Sequence, residues 1–147
     1  MMSQPVLIIR VVLYLGVVLT RRRTFTSHIQ AKKSQLTFLS ARTKVWARQS
    51  MDRRRTAEAY WTSSVMPILL YGAEIVPYTK TWFKEVNTAQ SVMAKWILGV
   101  NKRFSATAAR GIVGWLPPAQ LAMISKLRFW LTVKQMTPSR WPRRILN

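Results

Sequence analysis

The chain has 147 residues, enough for one domain with its own core, and 49% of them are hydrophobic, which excludes wholesale disorder. Lys and Arg number 24 against 4 acids, for a net charge of +20. The absence of cysteine and the single histidine exclude disulfides, thiolate zinc sites and histidine clusters, and four scattered acids are poor material for a carboxylate-bound Mg²⁺.

The charge is unevenly spread. Residues 1–56 carry 12 bases and only Asp52; residues 57–100 balance Lys80, Lys84 and Lys95 against Glu58, Glu74 and Glu85; residues 101–147 carry nine bases and no acid. Such an excess opposes compaction unless a polyanion offsets it, so an acidic partner is expected. Residues 1–19 form an apolar β element. Its Pro5–Leu19 run is shorter than the ~20 residues a bilayer span needs. Arg21–Arg23 follow this run, whereas a signal peptide places its bases first. Gly16 leaves one bent strand or two short ones open.

A helical domain is expected over residues 20–136. Ser27 is placed to cap the first helix, with Ile29, Leu36, Leu39 and Trp46 on one face and Lys32, Lys33, Arg42, Lys44 and Arg48 off it. A second helix starts at Arg53–Arg55, buries Ala57, Tyr60, Trp61, Ser64, Val65 and Ile68, kinks at Pro67 and continues through Leu69–Val76. The third has Trp82, Val86, Ala89, Met93 and Trp96 at three- and four-residue steps, with Gly99 at the left-handed C-terminal position. Ser105 caps a short helix through Ala109, and Gly111 and Gly114 break that helix before Trp115. Pro117 and Pro118 open a last helix with Leu121, Ile124, Leu127 and Leu131 on its apolar stripe. Residues 137–147 lack periodicity and read as a basic tail. The fold class is therefore mainly α: an irregular bundle of about four to five helices with a short N-terminal β element.

Several blocks carry a resemblance. Tyr14-Leu15-Gly16-Val17, Phe25 to His28-Ile29, Pro67-Ile68-Leu69-Leu70-Tyr71-Gly72-Ala73-Glu74, Gln90, Trp96-Ile97-Leu98-Gly99-Val100, Gly111 to Gly114-Trp115-Leu116-Pro117 and Lys126-Leu127-Arg128-Phe129 follow one another in order. Together they resemble the region just past the palm in non-LTR (LINE-type) retrotransposon reverse transcriptases, over roughly residues 12–134. The chain departs from that pattern at Ile112 and Val113, where an acid is usual, and at Val76, where an aromatic is usual. The resemblance implies a thumb-like helical region that grips the template–primer duplex. The paired palm aspartates that hold catalytic metals are absent, so the expectation is a non-catalytic fragment, not an enzyme, without cofactor or metal.

The residues expected at phosphates are Arg21, Arg22, Arg23, Lys32, Lys33, Arg53, Arg54, Arg55, Lys102 and Arg103. Their partner would be RNA or DNA, as duplex or hybrid, without base specificity, because charge positions a backbone but reads no sequence. Trp46, Trp61, Trp82 and Trp96 lie on helical stripes and are assigned to the core, while Trp141 among arginines is the candidate for base stacking. His28 is assigned a packing or capping role, and Glu74 a buried pair with a base. Self-association, through strand edges around residues 6–19, and a nuclear or cytoplasmic location complete this reading. Its rivals are a decayed retroelement product without selected function and a membrane-surface protein anchored by residues 1–19.

Overall fold

The computed structural model describes residues 11–14, 17–20, 25–137 and 139–140. Strands β1 (Val11–Tyr14) and β2 (Val17–Thr20) pair antiparallel with Tyr14 opposite Val17, so the front element is two short strands. Helices α1 (Thr26–Gln49), α2 (Arg53–Tyr60), α3 (Met66–Leu70), α4 (Lys80–Leu98), α5 (Ala106–Val113) and α6 (Pro118–Gln135) follow, and a π-helical turn, Trp61–Val65, joins α2 to α3. The fold is mainly helical, as expected. Counting α2, the π turn and α3 as one bent helix gives five.

Helix α1 contains neither Gly nor Pro along its 24 residues. It begins at Thr26 after Phe25, which makes no side-chain cap, so Ser27 lies inside the helix and is not its cap. The buried stripe is also rotated from the expected one: His28, Lys32, Leu36, Leu39, Thr43 and Ala47 face inward, at steps of four, four, three, four and four. Trp46 is 45% exposed. Three polar residues occupy core positions because each finds a hydrogen-bond partner there. Thr43 Oγ1 donates to the Leu39 carbonyl at 2.7 Å, one turn back. Lys32 Nζ donates to the Ile68 carbonyl at 2.6 Å. His28 is the third.

The His28 ring ties the strands to the helices. Its Nδ1 accepts from the Val18 backbone N–H at 3.4 Å. Its Nε2 stands 3.3 Å from the Tyr78 hydroxyl, which donates to the Tyr71 carbonyl at 2.9 Å. With Nδ1 an acceptor, the neutral Nε2–H tautomer satisfies every link. Burial pushes the His28 pKa down, and the nearby Lys32 ammonium pushes it the same way. Val17 joins the helical core cluster, so β2 shares that core.

Pro67 acts one turn earlier than a simple kink would. A proline at that position crowds the carbonyl of residue 63 and gives it no N–H. The chain widens into the π turn, in which the Met66 N–H reaches back to the Trp61 carbonyl. Helix α3 ends at Leu70, and the expected continuation through Val76 is replaced by a turn. Gly72 takes φ +80° there, and both Ile75 and Val76 N–H groups donate to its carbonyl. A helix cannot pass through a residue in that conformation without breaking its ladder.

Cross-links fix the helix directions. Lys33 meets Glu85 near the starts of α1 and α4, and Arg53 at the start of α2 meets Trp96 near the end of α4. Thus α1 and α4 run alongside each other, with α2 and α3 returning between them. Thr79 caps α4 by accepting from the Trp82 N–H, and Gly99 ends it at φ +68°. Helix α5 runs back along α4 with the Arg110 guanidinium on the Asn87 amide oxygen. Ser105 caps α5, which extends to Val113 and stops at Gly114, φ +76°. Trp61, Leu69, Val76, Trp82 and Val86, all fully buried, form the centre.

Candidate nucleic-acid interface

The ten expected phosphate ligands divide sharply. Arg21, Arg22 and Arg23 lie outside the described residues. Lys32 leaves the set: it is 6% exposed, its ammonium is engaged by the Ile68 carbonyl, and burial lowers its pKa. Lys33 sits on the same half of α1, half-exposed, in a 2.7 Å pair with Glu85. Arg54 pairs with Glu58 at 2.7 Å, one turn along α2. Such exposed pairs are worth about 0–1 kcal/mol, so both bases can exchange partners at little cost.

The remaining four, Arg53, Arg55, Lys102 and Arg103, come together at one pole of the bundle. There α1 ends, α2 begins and α4 ends. Asp52 fixes the start of α2 by accepting from the Arg55 N–H at 2.9 Å. The Arg53 guanidinium lies 4.9 Å from the Trp96 ring centroid, a cation–π contact that spans α2 and α4. After Gly99 the chain folds back, and Lys95 Nζ donates to the Lys102 carbonyl at 2.8 Å. The Arg103 N–H donates to the Asn101 side chain at 3.1 Å. Two bases missed in the sequence belong to the same pole: Arg48 on the last turn of α1 and Lys95 itself. Their common signal was proximity to helix ends that meet, which a linear charge count does not register.

A cavity of about 650 Å³ lies between the π turn, the 71–74 turn, α4 and the start of α6. Trp61, Met66, Tyr71, Gln90, Trp115 and Leu121 line it. The Trp61 and Trp115 rings stack at 5.6 Å, and Gln90 Nε2 donates to the Leu116 carbonyl at 3.1 Å. The Pro67–Glu74, Gln90 and Gly114–Leu116 blocks, distant in sequence, thus meet around one hollow. No family model matches the chain, and no curated protein or solved structure matches it either.

The other assignments resolve unevenly. Trp61 and Trp82 are fully buried, and Trp96 is partly buried against the core. Trp46, by contrast, packs on the rim, with its ring 4.9 Å from that of Tyr60 and the Arg42 guanidinium 4.7 Å from its centroid. Glu74 is exposed and not buried, because the 71–76 turn carries it to the surface. Its charge, after burial, helps hold the Tyr78 pKa up to about 12. Trp141 lies outside the described residues. Among those residues, no three His, Cys, Asp or Glu side chains cluster as metal ligands, and no helix is long and apolar enough to cross a membrane.

Proposed function

We propose that this chain binds nucleic-acid backbones through the pole formed by Arg48, Arg53, Arg55, Lys95, Lys102 and Arg103, as a non-catalytic, thumb-type piece of a retrotransposon-derived reverse transcriptase. The observation that carries the binding reading is the convergence of these six cations from three parts of the chain onto one end of the bundle. The nearby acids, Asp52 and Glu58, offset them only in part. Asp52 is engaged as a helix cap and Glu58 by Arg54. A rigid helical frame presenting an excess of cations fits phosphates, whose spacing tolerates many registers, and it reads no bases.

Arginines dominate the pole, and their planar forks suit bidentate contacts to phosphate oxygens. Arg53 is pre-oriented by the Trp96 ring, which lowers the entropy cost of ordering it on a ligand. The reverse-transcriptase part of the reading rests on the order of the sequence blocks, and the meeting of the Pro67–Glu74, Gln90 and Gly114–Leu116 blocks around the Trp61–Trp115 stack supports it. A fluorescence-anisotropy titration of labelled DNA duplex and RNA–DNA hybrid tests the binding. Sequence-independent affinity that falls steeply with salt supports it. Failure to bind either at low ionic strength refutes it.

A further inference from the structure

Helix α6 has 18 residues and is about 27 Å long, and it is seated at its beginning and again at Val133 near its end. Pro118 and Ala122 are buried, and Leu121 is partly buried against the core cluster. From Leu127 to Thr132 six consecutive residues are exposed, so solvent reaches every side of the helix. Val133 is the one buried residue beyond them. This corrects the expected stripe: Leu127 and Leu131 are 54% and 49% exposed.

The second half of α6 exposes several large apolar side chains. Met123, Leu127, Trp130 and Leu131 recur at four, three and one residues, forming a docking stripe of the kind one helix presents to another. Phe129, 47% exposed, lies about 200° round the helix from Leu127. Ile75, 68% exposed, lies on that other side, beside a hollow lined by Glu74, Ser125, Arg128 and Phe129. A helix apolar on several sides is ordinarily enclosed by protein. A lipid surface would cover one side only.

Charge selects the occupant. Lys126, Arg128 and Lys134 lie on α6, and no acid follows Glu85 anywhere in the chain. A second copy would set cation against cation. With four acids against 24 bases, a second copy has too few carboxylates to match the cations of this one. Residues 1–10 and 141–147 also contain arginine and no acid. We infer that the exposed apolar stripe of α6 docks an acidic amphipathic helix supplied from outside these 147 residues. That helix buries its apolar side on Met123, Leu127, Trp130 and Leu131 and sets carboxylates against Lys126 and Arg128. The inference is independent of the nucleic-acid reading.

The probes are two synthetic three-heptad helical peptides with the same number of glutamates, one with leucine and one with alanine at the apolar positions. The leucine peptide should bind at least about tenfold more tightly, a difference of about 1.4 kcal/mol. That advantage should vanish in Leu127→Gln/Trp130→Gln and survive in Arg55→Ala/Lys102→Ala/Arg103→Ala. Both double-variant positions are exposed, and an unchanged thermal melt of that protein verifies its fold. Equal affinity for the two peptides would overturn the inference. So would concentration-dependent dimerisation abolished by the double variant, or binding to anionic phosphatidylglycerol vesicles through α6 without preference between the peptides.

Discussion

Removing half of the cationic pole should weaken nucleic-acid binding by a calculable amount. Each cation placed on a phosphate of duplex DNA contributes about −0.9 to the slope of log affinity against log salt, so six would give about −5.4. The variant Arg55→Ala/Lys102→Ala/Arg103→Ala should therefore lower the steepness by up to about 2.7. At about 0.1 M salt this corresponds to a loss of up to about 500-fold in affinity, which should shrink toward unity as salt approaches about 1 M. All three side chains are exposed, and none is in an ion pair, so the fold should lose no more than about 0.5 kcal/mol. Anisotropy titrations at four or more salt concentrations, with circular dichroism to check folding, would measure both effects. A folded triple variant with unchanged slope and affinity would refute the assignment of the pole.

Acid should destabilise the fold through His28. Its folded pKa lies below 6.5, so the unfolded chain binds more protons as the medium acidifies. This contribution is fully present above about pH 6.5 and is lost below it, a trend that urea melts would reveal and that His28→Gln should flatten. Glu74→Gln should lower the Tyr78 pKa from about 12, read by absorbance of the phenolate, because the carboxylate is its second cause after burial. Gly72→Ala should cost more stability than Gly99→Ala or Gly114→Ala. All three have positive φ, but only at Gly72 would a Cβ also stand 3.3 Å from Val17 Cγ2. Trp61→Ala should cost about 3–5 kcal/mol, whereas Trp46→Ala, half outside the core, should cost far less in the same thermal melts.

What sequence could reveal followed the chemistry of backbone punctuation. Gly99, Ser105 and Pro118 act locally, through φ or a single hydrogen bond, and each stands where its residue type places it. The stripe of α1 was harder, since polar residues at 28, 32 and 43 find partners from the Val18 N–H, the Ile68 carbonyl and the Leu39 carbonyl. An apolar count cannot anticipate partners supplied by elements 10 or 36 residues away. The outer half of α6 misled for the opposite reason: its apolar residues imply burial that this chain does not provide.

The candidate pole shows the same division. Arg53, Arg55, Lys102 and Arg103 were visible as charge runs, but runs alone gave no reason to separate them from Lys32. Separation required knowing that Lys32 points into the core and that Gly99 turns the chain so that Lys102 returns to Lys95. Trp96 was assigned to the core from its spacing. It is partly buried, and its ring also carries Arg53.

Amide hydrogen exchange of the full chain, with and without a saturating RNA–DNA hybrid at low salt, tests most directly where polyanions sit. Slowed exchange concentrated at residues 48–56 and 95–104 is the expected result. Protection confined to the first half of α1 or to α6, with those two stretches unaffected, would contradict it.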